Sequence, residues 1–227
     1  MNYEQARFNM IEQQIRPWEV LDNQILTLLA IIKREDFVPL AHRALAFVDM
    51  EIPLTEDVQA KPGQCMLSPK VEARMLQDLA IQKRETVLEI GTGSGYMAAL
   101  LGYCGQHVTT LEINPALAAA ARINLQRAGI VNAEVIVADG ADTLPATEAF
   151  ARSFDAIVLS GSVAAVPQAL LARLKVGGRL CAIVGNEPMM RATLVTRVAE
   201  DAWRTTQAWD TVVSRLLHFP EPSKFVF

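Results

Sequence analysis

A chain of 227 residues, 51% of them hydrophobic, can bury a sizeable core without disulfides or metal, since a chain this long removes roughly 70% of its unfolded surface from water. The balance of 21 basic to 25 acidic residues leaves a net charge of −4 with no basic block, which argues against nucleic acid as a partner. Cys65, Cys104 and Cys181 stand far apart without a CxxC pair, and His42, His107 and His218 form no HxxxH or Cys/His cluster. The expectation is free thiols in a reducing compartment and no metal site.

The N-terminal stretch MNYEQARFNM is polar and carries Glu4 and Arg7, unlike a signal peptide. Phe8, Ile11 and Ile15 have helical spacing, and Pro17 ends that segment. Leu21, Ile25, Leu28, Leu29 and Ile32 make a second stripe, with Asp22 a candidate cap. Its most apolar run is far too short to span a bilayer, so the protein is expected in the cytoplasm with no membrane partner. From Phe37 to Gln64 the periodicity is mixed and broken by prolines, which predicts a mostly irregular crossing segment. Val71 to Leu79 turns helical again.

Beyond this point the rhythm is regular. Strand-like runs are predicted at 86–90, 107–112, 133–138, 155–160 and 179–184, with helical stretches at 96–103, 115–128 and 167–174. Continuous apolar strands alternating with helices predict a parallel sheet covered on both faces. The runs 192–199 and 203–217 have no helix between them and predict an antiparallel pair at a sheet edge. The expectation is an α/β fold: a doubly wound, seven-stranded, mostly parallel sheet with an N-terminal helical annex and an antiparallel C-terminal strand pair. It is read as a single domain over 1–227, divided into an N-terminal segment (1–80), a ligand-binding core (81–185) and the strand pair (186–227).

The stretch VLEIGTGSGY, Val87 to Tyr96, follows the first core strand with glycine at every second position. Glycines there let the backbone turn tightly and approach a ligand with no Cβ in the way. A dinucleotide fingerprint would place its third glycine where Tyr96 stands; here it comes one residue early, at Gly95. Glu112 ends the second strand, where a carboxylate can accept both hydroxyls of a ribose, and Asp139-Gly140 ends the third, within reach of an adenine amino group. Each carboxylate alone also reads as a helix cap or a solvated loop residue. Glu89, just before the loop, is awkward for a pyrophosphate and favourable for a cation. The ligand that unites these features is S-adenosylmethionine, a nucleoside carrying a sulfonium and an ammonium. Its expected contacts are Glu89, Gly91, Thr92, Gly93, Ser94, Gly95, Glu112, Ile113, Asp139 and Gly140.

VLEIGTGSGY, LEINPALAAAARINL, VADGA and KVGGRLCAIVG resemble the Rossmann-like core of class I methyltransferases. MIEQQIR, REDFVPLAHRALAFVDMEIPL and PGQCMLSPKVEARML are similar to the N-terminal half of protein-L-isoaspartate O-methyltransferases, and the likeness runs from about Asn9 to about Gly185. The resemblance implies methyl transfer from S-adenosylmethionine to the free carboxylate of L-isoaspartyl or D-aspartyl residues in damaged proteins, initiating repair. The partners it implies are proteins or peptides bearing such residues; oligomeric state is not legible. One departure touches the acceptor side. Where the family carries a serine beside the acceptor carboxylate, this chain has Leu67, and Lys70 stands where an aromatic residue or histidine is usual. Ser68 either replaces that serine as the catalytic hydroxyl or caps the helix after Pro69. Two other readings follow from the departure: a methyltransferase of this type with a different acceptor, or a cofactor-binding module without isoaspartyl activity.

Overall fold

The N-terminal annex is built from two capped helices. Asn2 accepts the Gln5 N–H at the start of α1 (Tyr3–Met10), and Asp22 accepts the Gln24 N–H at the start of α2 (Asn23–Ile31). The structure is a computed structural model describing residues 2–55, 63–142 and 153–221. After α1 the chain widens into a π turn at Ile11–Ile15 and tightens into a 3₁₀ turn at Arg16–Trp18, where Pro17 stops it. The wide turn rotates the buried face. Met10, Ile11 and Ile15 are buried, whereas Phe8, expected on that face, is 59% exposed. In the second stripe Ile25, Leu28, Leu29 and Ile32 are buried; Leu21 precedes the cap and is 65% exposed.

The crossing segment holds 3₁₀ turns at Arg34–Asp36 and Leu40–Leu45. A two-stranded ribbon follows, of β1 (Ile52–Pro53) and β2 (Cys65–Met66). α3 (Pro69–Leu79) then leads into the main sheet: β3 (Thr86–Ile90), β4 (His107–Glu112), β5 (Ala133–Val137), β6 (Phe154–Val163), β7 (Leu174–Asn186), β8 (Met189–Ala199) and β9 (Ala202–Thr211). The order is β5-β4-β3-β6-β7-β8-β9. β3 to β7 pair in parallel, and β8 and β9 add antiparallel at the edge.

Strand β3 shows why this sheet needs cover on both sides. Val87, Leu88, Glu89 and Ile90 are all buried. Val87 packs with α3, the annex, α4 (Tyr96–Cys104) and α5 (Pro115–Arg127). Leu88 and Ile90 pack on the other side with Ile157, Leu159 and the short helix Gln168–Leu171. The annex therefore shares one core with α3, α4 and α5. Among the described residues no helix is long and apolar enough to cross a membrane.

The last strand ends earlier than its apolar pattern predicts. β9 stops at Thr211, and residues 212–217 leave the sheet edge. The Ser162 N–H donates to Ser214 O (2.8 Å) and the Leu216 N–H to Ser162 O (2.9 Å). Val213, Leu216 and Leu217 read as more strand, but the partner of this segment is the carboxyl end of β6, not β8.

Arg34 is fully buried between annex and core. Its Nε donates to Ala46 O (3.1 Å), Nη2 to Leu67 O (2.5 Å), and Nη1 pairs with Glu72, itself buried. Removing one partner of such a pair leaves an uncompensated charge in the interior, at a cost of about 3–5 kcal/mol. Glu72→Ala is expected to lower the unfolding free energy by that amount in urea titration. Arg34→Met combined with Glu72→Leu is expected to lose much less than the sum of the single changes.

Candidate functional site

Strand order reverses around β3: the chain proceeds to β4 and β5 on one side and returns to β6 on the other. Open α/β sheets bind ligands beyond the carboxyl ends of the strands at that point. A cavity lies there. Ile90, Gly91 and Gly93 line it from the end of β3; Leu111, Glu112 and Ile113 from β4; Ala138, Asp139 and Gly140 from β5; and Ser160 from β6. The remaining wall comes from Leu54, Gly63, Gln64 and Cys65 beside the ribbon, and from Arg215, Leu216, Leu217 and Phe219 after β9, with Leu117 from α5.

The glycine loop is shaped by Glu112. Its Oε2 accepts the Gly93 N–H (2.8 Å) and its Oε1 the Asn114 N–H (3.0 Å). A carboxylate offers about four lone-pair directions, so two remain free on a side chain that lies on the cavity wall. The cap reading and the ribose reading of Glu112 are thus compatible in one residue. Asn114 itself caps α5 by accepting the Ala116 and Leu117 N–H groups. Gly91 has φ +92°, and a Cβ there would stand 3.0 Å from Leu216 Cδ2 and 3.4 Å from Ser160 O. Glycine keeps both the turn and the space.

The remaining expected contacts divide. Gly91, Gly93, Glu112, Ile113, Asp139 and Gly140 come together on the wall; Glu89, Thr92, Ser94, Gly95 and Ser68 are not part of it. Gly95 (φ +85°) opens α4, and a Cβ there would be 3.3 Å from both Cβ and O of Ala121 in α5. This third glycine serves helix packing. Ser94 Oγ accepts the Tyr96 N–H (3.3 Å), and Thr92 Oγ1 pairs with Thr110 Oγ1 (2.6 Å). Asp139 lines the cavity, but Oδ1 accepts the Ala141 N–H (2.9 Å) and Oδ2 pairs with His218 Nδ1.

Glu89, expected to offer charge to the ligand, is fully buried beneath the wall. It accepts from Thr110 Oγ1 (2.6 Å) and from Ser160 Oγ (2.7 Å). Burial pushes its carboxyl up to about 8, against the pull of those two hydroxyls. The group is therefore mostly neutral at pH 7, and its role is to join the ends of β3, β4 and β6.

On the acceptor side, Ser68 holds the N-cap position of α3 with extended backbone, yet its side chain makes no cap hydrogen bond. Its carbonyl accepts the Val71 and Glu72 N–H groups instead. Leu67 is buried, its carbonyl held by Arg34. Lys70 turns outward to Asp49 (2.7 Å) and lies 4.4 Å from the centre of the Trp18 ring.

The 214–219 segment went unrecognised in the sequence because it continues an apolar strand pattern. Glu51 pins it: Oε1 accepts the Ser214 N–H (2.8 Å), and Oε2 accepts the Ser214 hydroxyl (2.6 Å) and the Cys65 thiol (3.3 Å). Burial and the nearby Glu51 carboxylate push the Cys65 thiol up to about 12, so it stays protonated and is no nucleophile. Among the described residues no group of three or more His, Cys, Asp or Glu could hold a metal ion.

Glu89 yields a pH test. Its carboxyl is raised in the folded protein, so the stability it contributes is present below the unfolded pKa and is lost as pH rises through about 8. The wild type is expected to lose on the order of 3 kcal/mol more than Glu89→Gln between pH 5 and pH 8 in denaturant titration.

Comparison with known proteins gives the same outline. The family model described as protein-L-isoaspartate(D-aspartate) O-methyltransferase matches residues 5–213. The protein-L-isoaspartate O-methyltransferase of Koribacter versatilis is 38% identical over 191 residues, 84% of this chain and 81% of the relative. That of Rhodopseudomonas palustris is 36% identical over 220 residues, 94% of this chain and 96% of the relative. Among solved structures, a Plasmodium falciparum protein of the isoaspartate O-methyltransferase type, in complex with S-adenosyl-L-homocysteine, superposes with a TM-score of 0.76 at 17% identity, covering 95% of this chain and 98% of the other. This chain belongs to the protein-L-isoaspartate(D-aspartate) O-methyltransferase family.

Proposed function

We propose that this protein transfers a methyl group from S-adenosylmethionine to the free carboxylate of L-isoaspartyl or D-aspartyl residues, initiating repair of damaged proteins. The observation that carries the reading is the wall of Gly91, Gly93 and Glu112 at the switch point of a chain that matches the family from residue 5 to 213. We assign Gly91, Gly93, Glu112, Ile113, Asp139 and Gly140 to direct cofactor contact. Glu89, Thr92, Ser94 and Gly95 support that wall from behind. The donor set fits the nucleoside: Glu112 has two free acceptor positions for ribose hydroxyls, and the wall offers carboxylates where a pyrophosphate would be repelled.

The chemistry asks little of the protein. Bound S-adenosylmethionine supplies a methyl group on a sulfonium, and an acceptor carboxylate oxygen takes that methyl as the carbon–sulfur bond breaks, with no proton to move. Carboxylates with pKa values of about 3–4 are ionised at pH 7, so no general base is required. The chain's work is in-line placement and exclusion of water. Leu54, Leu216, Leu217 and Phe219 supply the apolar cover. We further propose one functional unit over the whole chain, protein partners rather than nucleic acid, and a cytoplasmic setting. The net charge of −4 and the three free cysteines support the last two.

Isoaspartyl peptide with radiolabelled S-adenosylmethionine is expected to give a base-labile methyl ester, and the matching aspartyl peptide none. Labelling of neither peptide, with S-adenosylhomocysteine still bound, leaves the fold assignment standing and removes the repair activity. Glu112→Ala is expected to weaken S-adenosylhomocysteine binding by about 1.5–3 kcal/mol in calorimetry. Leu67→Ser, which returns the hydroxyl usual in the family, is expected to lower stability by roughly 2–4 kcal/mol. It is expected to bring no gain in kcat/KM, because this side chain is buried off the cavity wall.

A further inference from the structure

We propose that Arg215 is the residue that receives the acceptor carboxylate. The assignment rests on the isoaspartyl reading and adds to it a binding residue for the substrate.

The cavity has two electrostatically unlike ends. Glu112 and Asp139 lie on the wall where β4 and β5 end, and a second carboxylate brought there would be repelled. Arg215 is the only cationic side chain among the described residues of the wall, in company with Gly63, Gln64 and Cys65. An anion withdrawn from water requires a charged or hydrogen-bonding partner, and among the described lining residues Arg215 offers the cation.

Arg215 is also incompletely used. Its Nε pairs with Glu221 (3.0 Å), and its Nη2 donates to Gly185 O (2.9 Å) and Asn186 Oδ1 (2.6 Å). Nη1 is buried with no hydrogen-bond partner among the described residues. Guanidinium donors are fixed in a planar fork, so the bonds to Gly185, Asn186 and Glu221 set the direction of the idle nitrogen. The backbone that carries it is equally fixed, through Glu51 on Ser214 and Ser162 on Leu216. A preset, desolvated donor of this kind is suited to hold one oxygen of a carboxylate and leave the other free to attack. No hydroxyl at position 67 is needed for that.

The test uses the full-length protein and an isoaspartyl peptide. Arg215→Leu is expected to raise the peptide KM about ten-fold or more, as loss of a charge-assisted contact does, while S-adenosylhomocysteine affinity stays within about two-fold of wild type. Arg215→Lys is expected to recover part of the loss, since it restores the charge without the fork. Arg215→Gln carries the same test if the leucine variant does not fold. An unchanged peptide KM in either neutral variant overturns the assignment. So does a loss that S-adenosylhomocysteine affinity and melting temperature share, because that is the mark of a structural arginine. Wild-type protein that binds S-adenosylhomocysteine but never methylates the peptide removes the reaction, and the assignment with it. An active wild type with unaffected variants removes the assignment alone.

Discussion

The site depends on one carboxylate accepting two backbone N–H groups. Glu112 ties the glycine loop after β3 to the chain that enters α5, through Gly93 and Asn114. Both N–H groups lie near helix starts, where donors have no partner within the helix. Without that acceptor the loop would have to satisfy them by folding back, and the cavity wall would lose its outline. Glu89, on the neighbouring strand, is the same functional group without the exposure. It accepts from Thr110 and Ser160 in the interior, off the cavity wall, so it fastens strand ends together and its free lone pairs face no cavity. Environment alone separates the two roles.

The opposite side of the cavity is organised from the annex. Arg34 holds the carbonyls of Ala46 and Leu67, and Glu51 holds Ser214 and Cys65. Buried charges of this kind add little net stability, because desolvation offsets most of the attraction. Their geometric effect is larger. Arg34 anchors the backbone just before α3, and Glu51 joins the β1–β2 ribbon to the chain that leaves β9. Two segments far apart in sequence thereby become one wall. Among the described residues of this half, Leu54, Gly63, Gln64 and Cys65 line the cavity, and the annex reaches the site through them.

Much of the fold was legible from periodicity and caps. β3, β4 and α5 have strong signals: short strand runs rich in β-branched and apolar residues, an Asn-Pro helix start and charged ends. The family resemblance carried the same elements to a cofactor. Three features were not legible, each for a physical reason. The π turn after α1 shifts the buried face away from Phe8, since an ideal helical period assumes uniform winding. The run 203–217 keeps strand-like alternation across a point where the hydrogen-bond partner changes from β8 to β6, and composition does not report partners. Glu89 and Gly95 match a ligand loop by spacing, yet their surroundings use them for strand joining and helix packing. Ser68, a candidate by sequence position, stands at the N-cap of α3 beside the Leu67 carbonyl that Arg34 holds.

The charge distribution of the cavity also bears on how fast such a site can work. Methyl transfer from a sulfonium to a carboxylate removes two opposite charges, so attraction for each is strongest before the reaction and fades toward the transition state. A cavity that gripped both charges tightly would stabilise the reactants and slow the chemical step. The arrangement here is restrained. Glu112 is already engaged by two N–H groups, Asp139 by His218, and Arg215 has three of its donors' tasks taken by Gly185, Asn186 and Glu221. Each charged group keeps only part of its hydrogen-bonding capacity outside these internal contacts. Leu216, packed against Gly91 and Gly161, then adds an apolar side chain to a wall whose charges are already engaged, and placement of the reactants is what remains to carry the reaction.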